Sequence, residues 1–157
     1  MPTLYITRGL PSSGKSTWAE QQQAADPTIS LAGRDRVRRM LSLAPWPYGD
    51  EDALAEAERR CTIAQAAVIR RLLEDGCSVI VDDTSLLRSH VEGLAELAED
   101  LEEVDVYVVS RFLDVPVEEC IRRDVLRPEA EQAGADRIRA MWQRHLDDLA
   151  MSSLQSR

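Results

Sequence analysis

An α/β fold, with a parallel sheet of four to five strands and helices on both faces, is predicted for this 157-residue chain by three observations. Short β-rich runs alternate with longer stretches of helical periodicity from one end to the other, the pattern of successive βαβ units. The run Cys77-Ser78-Val79-Ile80-Val81 does not alternate polar with apolar, as suits a strand covered on both sides. A glycine-bearing loop joins the first β-rich run to the first helical stretch, and in such folds that junction lies at the carboxyl edge of the sheet.

Taken in order, Thr3-Leu4-Tyr5-Ile6-Thr7 suits a buried first strand. Residues 16–25 read as a helix that ends before Asp26-Pro27. Thr28-Ile29-Ser30-Leu31 forms a second strand, which leads into a short helix over 34–42. The stretch 43–50 holds Pro45, Pro47 and Gly49 and so predicts an ordered loop. From 51 to 75 an alanine-rich helix places Leu54, Ala57, Cys61, Ala64, Val68 and Leu72 at helical spacing, and Gly76 stops it. The apolar strand over 77–81 comes next, then an amphipathic helix over 89–101 and a fourth strand over 104–110. Pro116 opens a helix to about 126, with Asp114 as its cap. A loop over 127–134 and a closing helix over 136–150 complete a single domain, 1–150, and 151–157 is expected to be a flexible tail.

This length supports one sizeable core. No apolar run approaches membrane-spanning length and no basic-then-apolar leader opens the chain. Cys61, Cys77 and Cys120 are scattered and odd in number, which predicts reduced thiols in a cytoplasmic protein and neither a disulfide framework nor a zinc site. The formal charge of −9 excludes a protein coated in basic surface for duplex DNA. The charge is unevenly placed. Seven carboxylates and no base lie from Glu92 through Asp105, whereas Arg34-Asp35-Arg36-Val37-Arg38-Arg39 sets four arginines against one aspartate. A site for anionic ligands and a solvated helix face both produce such a run.

Lys15 is the only lysine, beside eighteen arginines, and it lies in Gly9-Leu10-Pro11-Ser12-Ser13-Gly14-Lys15-Ser16-Thr17. This is the pattern of a loop that wraps nucleotide phosphates: backbone N–H groups close on the oxygens, the lysine reaches the β- and γ-phosphates, and Ser16 is placed for Mg²⁺. A strand before it and a helix N-terminus after it are the context such a loop needs. ATP or GTP is therefore the expected ligand.

Phosphoryl transfer also needs an acceptor hydroxyl held near a carboxylate. Asp35, at the end of the second strand among arginines, is the candidate base, and an ordinary surface pair with Arg38 or Arg39 is the other reading. Asp82 and Asp83 end the apolar strand, where a carboxylate commonly holds Mg²⁺, and alternation turns only one of them to the site. Arg123 and Arg127 are four apart before Pro128. They read either as a short lid over the β,γ-phosphates or as cations favoured near a helix C-terminus. Trp46 and Tyr48 either stack on nucleic-acid bases or anchor their loop.

The P-loop with its trailing Trp18-Ala19, Arg34-Asp35, Val79-Ile80-Val81-Asp82-Asp83-Thr84 and Phe112-Leu113-Asp114-Val115-Pro116 followed by Arg123 and Arg127 together resemble the kinase domain of phage-type polynucleotide 5′-hydroxyl kinases. The resemblance spans nearly the whole chain, to about His145. It implies a P-loop kinase acting with ATP and Mg²⁺ on the 5′-hydroxyl end of DNA or RNA. Gly9, Ser12, Ser13, Gly14, Lys15, Ser16 and Thr17 would cradle the donor, Ser16 and Asp83 would serve the metal, and Asp35 would be the base. Arg34, Arg38, Asp83 and Thr84 would face the acceptor, with Arg38 on its 3′-phosphate, and Arg127 with its neighbour Arg123 would reach the donor from the lid. The phosphatase domain of the phage enzyme is not expected within these 157 residues.

Asp82 stands where the family has serine, Ser85 where it has asparagine, and the lid loop over 128–135 is one residue longer. Small metabolite kinases and zeta-toxin-like sugar-nucleotide kinases share the P-loop and architecture, and a non-catalytic nucleotide-binding module would share the P-loop alone. Oligomeric state is not legible in the sequence.

Overall fold

The computed structural model describes residues 1–43 and 46–156; Ala44 and Pro45 of the expected 43–50 loop, and Arg157, lie outside the described residues. Four parallel strands, β1 (Thr3–Thr7), β2 (Ser30–Leu31), β3 (Val79–Val81) and β4 (Asp105–Val109), form one sheet in the order β2-β3-β1-β4. Leu4 is level with Val79 on one side and Val106 on the other, and Leu31 with Ile80. Because β3 inserts between β1 and β2, the carboxyl ends of β1 and β3 are neighbours, where ligands of open α/β sheets bind.

Six helices surround the sheet among the described residues: α1 (Lys15–Ala25), α2 (Arg34–Met40), α3 (Glu51–Glu74), α4 (Arg88–Ala95), α5 (Val117–Val125) and α6 (Ala135–Gln155). On one face Leu4, Ile6, Val79 and Val81 pack with Ile69 and Leu73 of α3, flanked by Val91 and Leu94 of α4. Each fully buried aliphatic side chain there contributes about 1.5–3 kcal/mol. On the other face Tyr5 meets Trp18 of α1 edge to face, with centroids 6.4 Å apart. A second cluster of Leu10, Leu86, Cys120 and Ile138 joins the P-loop to α5 and α6. The β4 strand is the sheet edge, and Val106, Tyr107 and Val108 remain exposed on it.

The elements match the sequence in kind and order, with four departures. The most buried stripe of α3 is Ala57, Cys61, Gln65, Ile69 and Leu73; Ala57 and Cys61 stand as expected, while the expected Val68 and Leu72 pack against the core only partly buried, and Gln65 is buried with polar partners at the site. The expected cap Asp114 belongs to a 3-10 turn (Arg111–Asp114), and no side chain caps α5. Glu118 and Glu119 supply negative charge to its first turn instead. The 89–101 helix begins one residue earlier and tightens into a 3-10 turn over Glu96–Ala98. The expected tail is helical to Gln155: no glycine or proline interrupts it, and the hydroxyls of Ser152, Ser153 and Ser156 donate to carbonyls four residues back.

Candidate active site

The phosphate loop leaves the end of β1, and buried Thr7 ties that end to β3. Its hydroxyl donates to the carbonyls of Val81 (3.2 Å) and Asp83 (2.8 Å), and Gly9 N–H donates to the Thr84 carbonyl at 2.9 Å. A Cβ at Gly9 would lie 2.6 Å from Phe112 Cβ and 2.7 Å from Ser13 Oγ, so no side chain fits this passage. Gly14 takes a left-handed turn (φ 102°) into α1, leaving Ser16 and Thr17 exposed in the first turn while Ser13 is buried.

Lys15 does not point outward. It is buried, and its Nζ donates to the Leu10 carbonyl at 2.6 Å and to Ser13 Oγ at 3.4 Å. Burial lowers its pKa from 10.5 to about 8, against an opposing pull led by Asp82, with Asp83 and Asp35 weaker. The ammonium is thus held where phosphate oxygens would be more favourable partners than one carbonyl.

Asp82 and Asp83 diverge, as strand alternation requires. Asp82 is almost fully buried and lies 3.4 Å from Arg36 Nη2, which also meets Glu20 at 3.1 Å. Asp83 accepts from Arg34 N–H (2.7 Å) through Oδ1 and from Gln65 Nε2 (2.7 Å) through Oδ2. Burial pushes its carboxyl pKa up, opposed by those two hydrogen bonds. Asp83, the expected metal-side carboxylate, has one protein donor on each oxygen, and its neighbour Asp82 is the carboxylate that acts most strongly on Lys15. A Cβ on Gly33 would collide with Asp82 Oδ1, so a side chain where α2 begins would force that carboxylate to shift. Gln65 was missed from sequence; a lone glutamine on the buried face of an alanine-rich helix was the available signal.

Asp35 projects from the first turn of α2 with its side chain 73% exposed, and Arg38 Nη1 donates to its Oδ1 at 2.8 Å. Arg38 does more than a surface ion pair does. Its guanidinium lies 4.1 Å from the centroid of the Trp46 ring and 3.4 Å from Glu58, which also pairs with Arg34. Trp46 therefore anchors the loop through the arginine face. Tyr48 is 59% exposed, and its hydroxyl accepts from Arg137 at 2.5 Å. Thr84 contributes only its backbone carbonyl, to the phosphate loop.

On α5, Arg123 donates to Glu119 at 2.8 Å, whereas Arg127 is loosely held, 3.8 Å from Asp124 and 3.9 Å from Glu131. Between them Asp124 is buried and accepts from Ser12 Oγ, Ala133 N–H and Gly134 N–H. Sequence reasoning passed over Asp124 because an aspartate between two arginines reads as a surface charge.

The residues present fit Mg²⁺. Among the described residues no three His, Cys, Asp or Glu side chains form a cage. Mg²⁺ beside phosphates needs only one or two protein oxygens, and exposed Ser16 with buried Asp82 supplies that chemistry.

Compared with known proteins, residues 4–150 match the AAA domain family AAA_33. The chain belongs to that family. It is a P-loop kinase-type domain. It is 30% identical over 128 residues to the L-seryl-tRNA(Sec) kinase of Methanococcus maripaludis, an alignment covering 79% of this chain and 46% of that protein. A chain of the Pnkp1/Rnl/Hen1 RNA repair complex superposes with a TM-score of 0.69 at 26% identity, over 98% of this domain and 46% of that chain. A second structure of a Pnkp1/Rnl/Hen1 complex gives 0.60 at 28%, over 78% and 39%. The domain thus spans less than half the length of each of these relatives. Among the described residues no helix is long and apolar enough to cross a membrane, and the three cysteines are unpaired.

Proposed function

We propose that this domain transfers the γ-phosphate of ATP to the 5′-hydroxyl end of an RNA or DNA strand. The observation that carries the reading is the open Asp35 carboxylate, oriented by Arg38 on the same carboxyl edge of the sheet as the Lys15 loop. In this mechanism Asp35 accepts the proton of the acceptor hydroxyl as its oxygen bonds to the γ-phosphorus. The bond from that phosphorus to the β,γ-bridging oxygen breaks, and ADP leaves. Lys15 exchanges the Leu10 carbonyl for β- and γ-phosphate oxygens. Gly9, Ser12, Ser13, Gly14 and Thr17 shape the donor cradle, and Arg127 with Arg123 stabilises charge developing on the transferred group. Arg38, with Arg34, receives a phosphate of the acceptor, and Asp83 supports them by capping α2 through Arg34 N–H. Ser16 and Asp82, in preference to the expected Asp83, would hold Mg²⁺, and the ion would supply neutralisation of phosphate charge.

An RNA-borne acceptor is favoured by what the relatives act on or assemble with: RNA repair in one case, seryl-tRNA in the other. The seryl-tRNA(Sec) kinase likeness supports a second reading, in which the acceptor is the serine hydroxyl carried by a tRNA. The two separate in one assay. The protein is incubated with γ-labelled ATP and 5′-hydroxyl RNA, 5′-hydroxyl DNA, 5′-phosphorylated controls or seryl-tRNA. Label on 5′-hydroxyl strands alone supports the proposal; transfer to the seryl group alone establishes the second reading; no transfer to either at any salt concentration overturns both.

A further inference from the structure

Resting on the reading of 123–134 as the lid of a P-loop kinase, we propose that Asp124 is a positioning residue that fastens this lid to the phosphate loop, so that donor binding and lid placement are coupled. Asp124 is 2% exposed, although the arginines on either side of it are open to solvent. Its Oδ1 accepts from Ser12 Oγ at 3.4 Å and from Ala133 N–H at 2.9 Å, and its Oδ2 accepts from Gly134 N–H at 2.9 Å. One carboxylate therefore joins α5 and the start of α6, nine and ten residues on, to the phosphate loop, which lies 112 residues away in sequence. Both ends need it. Ser12 is non-glycine yet left-handed (φ 63°), and Gly134 (φ 89°) begins α6 without a side-chain cap of its own.

A second clasp closes the other end of the lid. Gln132 Nε2 donates to the carbonyls of Val125 (3.2 Å) and Arg127 (2.9 Å), covering the last turn of α5. Between the two clasps only 128–131 is left untied, as Pro128 and a 3-10 turn over Glu129–Glu131. This lid is consequently fixed at its base and does not open as a whole. Arg127 is the part free to move, because its two acidic neighbours stand at 3.8 and 3.9 Å, beyond hydrogen-bonding distance. A triphosphate that reorders Ser12 acts through Asp124 on the frame from which Arg127 reaches.

Two measurements test this. In the unaltered protein, a non-hydrolysable ATP analogue slows hydrogen exchange at the Ala133 and Gly134 amides; unchanged exchange there, with analogue bound, overturns the coupling. In Asp124→Asn, which replaces one acceptor by an amide donor facing a backbone N–H, kcat falls about 10- to 100-fold, as for a misplaced catalytic group. The affinity for the analogue changes less than about threefold, and Asp124→Asn combined with Arg127→Ala is no slower than Arg127→Ala alone. Fully additive losses, or equal losses in analogue affinity and kcat, overturn the assignment. The exchange and analogue-binding results need no acceptor, so they stand if 5′-end phosphorylation fails, and failure of the clasp leaves that reaction untouched.

Discussion

Nucleotide binding to this domain should take up a proton, and Lys15 sets the amount. Free of ligand, the ammonium is buried against the Leu10 carbonyl and its pKa is about 8. The drop from 10.5 corresponds to a penalty of about 3 kcal/mol on the charged form. A bound triphosphate places several negative charges beside it and raises the pKa again. The sign follows: the ligand prefers protonated lysine, so affinity is constant well below pH 8 and falls above it, by up to about tenfold per pH unit, until the bound-state pKa is reached. At pH 8.5 about three-quarters of the free lysine is neutral, so uptake approaches about 0.7 proton per nucleotide, against about 0.1 at pH 7. Titration calorimetry with a non-hydrolysable ATP analogue, in buffers of different ionisation enthalpy, reads this number directly. Lys15→Arg, which cannot lose its proton in this range, should abolish the uptake. Zero uptake at pH 8.5, or undiminished uptake in Lys15→Arg, would refute the buried-lysine reasoning.

On the proposed reading of Asp35 as the base for the acceptor, Asp35→Asn should lower kcat about 10²- to 10⁴-fold in a labelled-ATP assay while leaving ATP-analogue affinity within about twofold. Gly33→Ala should lower the melting temperature by several degrees, because its Cβ would collide with Asp82 Oδ1 and lie 3.3 Å from Asp83 Oδ1, an overpacking cost of about 1–3 kcal/mol; unchanged melting would mean that α2 shifts freely at its start. Acceptor binding should show a shallow salt dependence, with a log–log slope of about −0.7 to −1.4 for one or two phosphates gripped at the end of a single strand, and Arg38→Ala should reduce it by about 0.7. A slope steeper than about −5 would require a strand-tracking surface.

What the sequence made legible was whatever depends on local pattern. The strand-loop-helix run around Lys15 and the apolar Val79–Val81 strand stand where their periodicity and glycines require. Partner choice among charged groups was not legible, because it depends on which carboxylate the fold turns inward. Asp82 and Asp83 are adjacent and chemically identical, and only the position of Gln65 on α3 and the start of α2 decide that Asp83 is fully engaged. Asp124 has the same history: a donor from the distant phosphate loop and two from the turn before α6 converge on it, and no spacing rule connects positions 12 and 124. The 151–155 extension was misread for the opposite reason, since serine-rich ends look frayed although these hydroxyls bond back along the helix.

The acceptor side also explains how a chain of net charge −9 can receive an anion. Arg34 and Arg38 share Glu58, Arg38 leans on Asp35 and Trp46, and Arg36 lies between Glu20 and Asp82. These arginines are thus held in place by carboxylates before any ligand arrives, which limits the conformational entropy lost on binding. The same carboxylates repel any phosphate that does not meet the guanidinium forks directly. If the acceptor is a strand end, as proposed, such a surface would reward the one phosphate that lands on Arg38, while the acidic start of α3, with Asp50, Glu51, Asp52 and Glu56, would oppose further phosphates brought near it. On that reading acidity would work toward selection of strand ends, confining attraction to the few residues beside Asp35.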